Sequence, residues 1–423
     1  MKNYKIDTLC VQAGYEPKSG EARIPPIAQS TTFFYGKTQD MADLFDLKSE
    51  GYFYSRLANP TVAAFEGKVA ALEGGLCGIG CASGMSATSL TVFTVAGAGD
   101  NVVSSSAIYG GSYNLFSTTL PKLGIECRFF DPDAPAEEIE KLIDDKTKLI
   151  FTETIANPAI IVLDFDKIAK IAEKYGVLFA VDNTLATPVL CRPKEFGAHI
   201  VIHSSSKYLD GHAAALGGVI VDLGNFDFKG NPRYKSFNEP DESYHGLVYA
   251  ELPVAFGTKC RAQMMRDFGA IMSPQNGFIS YIGSDTLALR MERHSENAKK
   301  VAAYLKKHPK IEWINHPSLP DNKYHKLAQK YLPDGQGGML SFGIKGSVEK
   351  CAAFMEALQL ITQETHVADV RSCVLHPAST THRQLSEDDL KKAGVPHNLI
   401  RLSVGIENAA DIIADLEQAL AKV

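Results

Sequence analysis

An α/β fold, with a mostly parallel sheet in a large domain and a smaller α+β domain at the carboxyl end, is what the 423-residue sequence predicts. Three observations carry that expectation. Between about residues 75 and 225, apolar runs of strand length recur at 101–104, 125–130, 148–152, 177–181, 199–202 and 218–221. Amphipathic stretches separate several of them, at 134–143 and 164–175. Strand and helix in turn build βαβ units, whose strands run parallel and are covered on both faces. Beyond residue 273 the alternation gives way to a long helical pattern and then to a mixed one.

Taken in order, the first sixty residues read as irregular, with Pro25-Pro26 and several aromatics. Pro60 then opens a helix that runs through Leu72 and stops at Gly74-Gly75, because proline suits a first helical turn and glycine an end. The segment 225–260 is rich in Phe, Asn, Pro and Tyr without clear periodicity and reads as an excursion on the sheet domain. After Ser273-Pro274 a helix is predicted over about 285–307, carrying Arg290, Arg293 and His294. The runs 339–344, 352–358, 400–404 and 409–421 make up the smaller domain. The expected division is therefore 1–61, 62–272 and 273–423, without internal repeats or low-complexity segments.

Composition narrows the partners. With 43 basic and 49 acidic residues the formal charge is −6, and no polybasic run occurs, which argues against nucleic acid and anionic membrane. No apolar stretch approaches the ~18 residues of a membrane span. The opening residues 1–7 lack an apolar signal core, so a soluble, cytoplasmic protein is expected. Eight cysteines occur without a Cys-x-x-Cys pair. Cys77 and Cys81, flanked by glycine and alanine, read as small buried residues, and no metal site is expected.

Lys207 stands in His203-Ser204-Ser205-Ser206-Lys207-Tyr208-Leu209-Asp210-Gly211-His212, just past the apolar stretch 198–202. Asp182 closes the apolar run 176–181 upstream. A lysine and an aspartate at the carboxyl ends of buried strands suit pyridoxal phosphate. The amine condenses with the aldehyde, and the carboxylate keeps the pyridine nitrogen protonated. Taken singly, Lys207 also reads as a solvated lysine and Asp182 as a cap before Asn183-Thr184.

Other residues gather around this pair. In Cys81-Ala82-Ser83-Gly84-Met85-Ser86, Gly84 permits close backbone approach, and the following helix offers free N–H groups to an anion. Ser204 and Ser206 could add hydroxyl donors to the same phosphate. A plain turn and a self-capping serine loop remain the alternatives. Tyr109 follows a strand end and could stack on the cofactor ring, or it is a core tyrosine. Asn157 could hydrogen-bond the phenolic oxygen, or it opens an Asn-Pro turn. Arg401, charged within an apolar run, needs an anion: either an amino-acid carboxylate or an internal salt bridge.

The run of motifs resembles the Cys/Met-metabolism family of pyridoxal-phosphate enzymes of fold type I, and within it the O-acetylhomoserine sulfhydrylases. The likeness covers nearly the whole chain. It rests on Tyr54-Ser55-Arg56-Leu57-Ala58-Asn59-Pro60-Thr61, Ser83-Gly84-Met85, Tyr109-Gly110, Glu153-Thr154 with Asn157-Pro158, Val181-Asp182-Asn183-Thr184, the 203–212 run, and His376-Pro377-Ala378-Ser379-Thr380-Thr381-His382. The resemblance implies that Lys207 carries the cofactor and Asp182 pairs with its pyridine nitrogen. It further implies that Gly84, Met85, Ser204 and Ser206 hold the phosphate. Tyr54 and Arg56 would reach the cofactor of a neighbouring subunit, making residues 1–61 part of that site and the protein an obligate dimer, commonly doubled to a tetramer. Arg401 would bind the substrate α-carboxylate, with Thr381, and with Tyr54 of the neighbouring subunit, close by.

Three departures stand out. Ser206 replaces a common threonine, Gly111 stands where methionine γ-lyases carry a cysteine, and His366 replaces a serine or asparagine near the substrate carboxylate. The excursion at 241–247 looks like an insertion of the sulfhydrylases. The implied reaction is a γ-replacement. Lys207, freed by O-acetyl-L-homoserine, moves protons between Cα, the cofactor and Cβ, with help from Tyr109. Acetate leaves Cγ, and sulfide or methanethiol adds there to give homocysteine or methionine. The alternatives are a methionine or homocysteine γ-lyase and a cystathionine γ-synthase. A silent binding protein on this fold would have lost Lys207 or Asp182.

Overall fold

The computed structural model describes residues 4–381, 383 and 395–423; His382, in the last of the motifs above, lies outside them. Seven strands form the larger sheet: β1 (Cys77–Cys81), β2 (Asn101–Ser105), β3 (Glu126–Phe130), β4 (Thr147–Glu153), β5 (Leu178–Asp182), β6 (Ile200–His203) and β7 (Gly218–Asp222). Their order is β1-β7-β6-β5-β4-β2-β3, and all run parallel except β7, which is antiparallel to both neighbours. The mostly parallel sheet is therefore present. Six of its strands fall on the predicted runs. The seventh, β1, reads in the sequence only as a short apolar run, because two of its five residues are glycine.

Both faces of this sheet are covered, and the alternation of side chains shows it. Along β4, Leu149 and Phe151 enter one apolar cluster and Ile150 the other; along β5, Leu178 and Ala180 divide from Phe179 and Val181 in the same way. Each strand therefore reads as a continuous apolar run. The helices start and stop where short polar side chains and glycine allow. Asn59 accepts a hydrogen bond from the Thr61 amide to cap Pro60–Glu73, which ends on left-handed Gly74 (φ 70°). Asp164 caps Phe165–Tyr175 through the Lys167 amide. The helix expected over 134–143 is shorter, Ala136–Glu140, a correction with a local cause. The Asp144 side chain accepts from the Lys146 amide and from Asn101 Nδ2, pulling the chain into a turn.

The excursion at 225–260 lies on one face of the sheet. Phe228 stacks on Phe237 with ring centroids 4.0 Å apart, and Tyr234 donates to the Lys148 carbonyl while accepting from the Leu178 amide. The smaller sheet has the order β10-β11-β12-β9-β8, from β8 (Ile311–Asn315), β9 (Met339–Ile344), β10 (Thr362–Gln363), β11 (Cys373–Leu375) and β12 (Leu399–Ser403). It is antiparallel apart from the short β10–β11 pair. The helices Leu287–Lys307, Val348–Ala357 and Ala409–Leu420 pack on it. The 21-residue helix joins the two bodies: Leu287 and Met291 enter the core of the large sheet, Val301 and Leu305 that of the small one. No helix among the described residues is long and apolar enough to cross a membrane. All eight cysteines are free; Cys81 is buried as expected, whereas Cys77 is partly exposed.

Candidate active site

The parallel register sets the chemistry side by side. Glu153 on β4 stands opposite Asp182 on β5, which stands opposite Ile202 on β6, so three strands end together. A cleft of about 260 Å³ opens at that edge. Its lining includes nine of the predicted residues: Gly84, Met85, Tyr109, Asn157, Asp182, Ser204, Ser206, Lys207 and Arg401. Residues scattered over more than three hundred positions thus share one cavity, as expected at the carboxyl edge of an open α/β sheet.

Lys207 sits in the turn after β6, its amide bonded to the Ser204 carbonyl at 3.2 Å. Burial, then the nearby charge of Arg401, lowers its amine to about 8. A lysine so placed is readily neutral, which both condensation with an aldehyde and proton abstraction require. Its Nζ lies 3.1 Å from Nδ1 of His366. Asp182 accepts from the Thr184 amide at 2.9 Å, and burial raises its carboxyl above the usual range. A nearby cation, such as a protonated pyridine nitrogen, offsets that cost.

Glu153 is the member that the sequence presents only as part of a motif. Buried, it accepts from the Tyr109 amide at 2.6 Å and from the Asn157 amide at 3.4 Å. One carboxyl thereby holds the two loops that carry the ring-facing candidates. Burial and the charge of Asp182 raise it well above its ordinary value. Tyr109 is about half exposed, which removes the core-tyrosine alternative. A Cβ on Gly111 would come within 2.5 Å of the Tyr109 ring, so that neighbour has to be glycine for the ring to keep its place.

The start of the helix Gly84–Val95 is open to an anion. Ser83 caps the helix Gly84–Val95 by accepting from the Ser86 amide at 3.1 Å, and its carbonyl takes the Ala87 amide. The amides of Gly84 and Met85 find no such partner among the described residues, as the first turn of a helix leaves them. A Cβ on Gly84 would lie 2.6 Å from that of Ser204, so glycine lets the 204–207 turn close onto the helix end. The Ser206 hydroxyl is otherwise engaged: it donates to the Gly217 carbonyl at 3.2 Å and accepts from the Gly217 amide at 3.0 Å.

Two buried polar groups in the cleft are short of partners among the described residues. Asn157 Oδ1 is buried without a hydrogen bond among the described residues. Arg401, in the middle of β12, alternates with Ile400 and Leu402, which enter the small-sheet core, and so lines the cleft. It is 6% exposed and, among the described residues, donates to the carbonyls of Thr365 (3.2 Å) and His366 (3.4 Å). No carboxylate pairs with it among the described residues. Thr184, Thr365 and His366 also line the cavity. Tyr54, Arg56 and Thr381 do not: Arg56 lies 5.2 Å from the Tyr54 ring and donates to the Arg266 carbonyl. The donor set fits pyridoxal phosphate: an amine for the aldehyde, a carboxylate for the ring nitrogen, helix amides for the phosphate, and a guanidinium for a bound amino acid.

Known proteins agree with that chemistry. The family model described as "Cys/Met metabolism PLP-dependent enzyme" matches residues 7–421. The chain is 43% identical to O-acetyl-L-homoserine sulfhydrylase of Leptospira meyeri, covering 100% of this chain and 98% of that one. It is 45% identical to homocysteine synthase of Schizosaccharomyces pombe, covering 98% of each. Its fold superposes with a TM-score of 0.96 and 41% identity on an O-acetylhomoserine (thiol)-lyase from Campylobacter jejuni, covering 99% of this chain and 100% of that one; that crystal structure holds N'-pyridoxyl-lysine-5'-monophosphate. A family match over nearly the full length, together with a cleft whose donor set fits the cofactor, makes this chain a member of the Cys/Met-metabolism family of PLP-dependent enzymes.

Proposed function

We propose that the protein catalyses γ-replacement on O-acetyl-L-homoserine, exchanging acetate for sulfide (or methanethiol) to give L-homocysteine (or methionine). The observation that carries this reading is identity of 42–45% over whole chains with relatives named for that sulfhydrylation or for homocysteine synthesis. Pyridoxal phosphate, when bound, supplies an electron-accepting ring that acidifies the α-hydrogen of an attached amino acid. The chain's residues do the rest. Lys207 holds the aldehyde carbon between turnovers and, once freed, takes the α-proton and returns it along the substrate. Its lowered basicity suits that task at neutral pH. Asp182 holds the ring nitrogen, with Gly84, Met85 and Ser204 around the phosphate and Ser206 joining them by turning its hydroxyl away from the Gly217 carbonyl. Tyr109 covers the ring and assists proton transfer, and Asn157 meets the phenolic oxygen. Arg401 grips the α-carboxylate, the anion its burial calls for.

The reading extends to assembly. Residues 1–61 form an arm whose Tyr54 and Arg56 serve a neighbouring subunit's cofactor, Tyr54 also bordering the substrate there; Thr381 borders the substrate of its own chain beside Arg401, 62–272 bind the cofactor, and 273–423 form the small domain. The enzyme is a cytoplasmic homo-oligomer, a dimer of dimers, working in methionine formation. Exposed apolar side chains on the arm, Phe34 (93%) and Phe45 (57%), support a covering partner. The test is an assay of the purified protein with O-acetylhomoserine, with and without sulfide. Homocysteine formed only with sulfide, with little ammonia, is expected. Ammonia and 2-oxobutyrate released regardless of sulfide would make it a γ-lyase; cystathionine formed on adding cysteine, in preference to homocysteine, would make it a cystathionine synthase.

A further inference from the structure

We propose that His366 is a positioning residue for Lys207, its imidazole accepting the amine's hydrogen bond at Nδ1 with the Asp369 carboxylate nearby. Lys207 Nζ and His366 Nδ1 are 3.1 Å apart, and His366 Nε2 lies 3.8 Å from Asp369 Oδ2. Nε2 makes no hydrogen bond among the described residues, and Arg371 Nη2 donates to that same Asp369 oxygen at 3.3 Å. The imidazole is held there by its backbone: Arg401 and the Cys373 thiol both donate to the His366 carbonyl. Next to it, buried Ala368 adopts a left-handed φ of 65°, and its amide donates to Ser403 Oγ at 2.8 Å. A non-glycine residue keeps such a backbone only where its surroundings impose it, so the loop is fixed rather than draped over the cleft. Asp369 is held in turn by the Arg371 amide at 2.6 Å and by Arg371 Nε at 3.3 Å.

A serine or asparagine at this position could accept a hydrogen bond from the lysine but could not be protonated. An imidazole can, and this links the orientation and protonation of Lys207 to those of His366. The charged and titratable groups around the pair are Asp210 from the turn after β6, Asp369 and Arg371 from the histidine's own loop, Cys373 on β11 and Arg401 on β12. Burial, then the charge of Lys207, keeps the imidazole below its ordinary 6.5, against the pull of Asp369. At neutral pH it is therefore an acceptor that favours the charged amine. In acid it becomes a second cation 3.1 Å from the first, and the contact is lost.

The inference rests on Lys207 as the cofactor-bearing lysine, and its test separates from the choice of substrate. Competitive acetylation of the cofactor-free, full-length protein over a pH series, read by peptide mass spectrometry, gives the midpoint of Lys207 directly. In His366→Leu that midpoint falls by roughly one pH unit, the worth of one hydrogen bond to a charged group. In His366→Asn, which keeps an acceptor, it returns to the wild-type value. The acid limb of kcat/KM, scaled to each protein's own plateau, is shifted or lost in His366→Asn. An unmoved midpoint in His366→Leu, or an acid limb unchanged in His366→Asn, overturns the proposal. Labelling needs no substrate, so a failure to form homocysteine leaves this readout standing.

Discussion

Arg401 shows how a single residue can be legible and ambiguous together. A cation inside an apolar run requires an anion wherever it is buried, but the run does not reveal whether that anion belongs to the protein. The β12 register points the guanidinium into the cleft, where among the described residues it donates to two carbonyls. Burial lowers it to about 10, so a substrate carboxylate would relieve a strained charge. Arg401→Met is expected to lower kcat/KM by roughly 10- to 150-fold in steady-state kinetics, the worth of a charge-assisted hydrogen bond pair. An unchanged value would remove it from substrate binding. Glu153 is the contrary case. Its task is to hold two backbone amides from separate loops, and no spacing in the chain announces that.

At the scale of elements, the helix that begins at Gly84 and the turn at 204–207 have to meet. Their closeness depends on a missing side chain, since a Cβ on Gly84 would press on Ser204. Gly84→Ala should therefore keep the fold but loosen the anion cradle. Absorbance titration of the cofactor-free variant with pyridoxal phosphate is expected to give a Kd about tenfold higher, the loss of one hydrogen bond to a charged group. A wild-type Kd would mean that the phosphate is held elsewhere. The strands were legible because buried parallel strands form unbroken apolar runs. The direction of β7 was not, because such a run reads the same either way along the sheet.

Across the whole molecule, two outcomes depend on assembly and on burial. Tyr54 and Arg56 lie off their own chain's cleft, as an arm serving another subunit requires. Lys207→Ala and Arg56→Ala proteins, each expected to be inactive, should regain turnover when dissociated and reassembled together, because one hybrid site then has both residues. Absence of recovery would count against the shared site. Separately, His199, His294 and His316 are all lowered by burial to about 4 from 6.5. The unfolded chain binds protons at these positions before the folded one does. Their stabilisation is full above about pH 6.5 and is lost as the pH falls towards 4. The melting temperature should drop across that window, and drop less in His316→Asn; an identical drop would assign the loss to other groups.

The sequence by itself determined the α/β class, the strands, the lysine–aspartate pair, and a helix start suited to phosphate. These are local properties: apolar period, chain punctuation, and a charged residue at a strand's end. Only the tertiary structure decided that Arg401 faces the cleft with no acid partner among the described residues, that Glu153 ties Tyr109 to Asn157, and that His366 reaches Lys207 across 159 positions of the chain. Such contacts are made by packing two sheets around one long helix, and their free energy depends on distances that spacing along a chain does not encode.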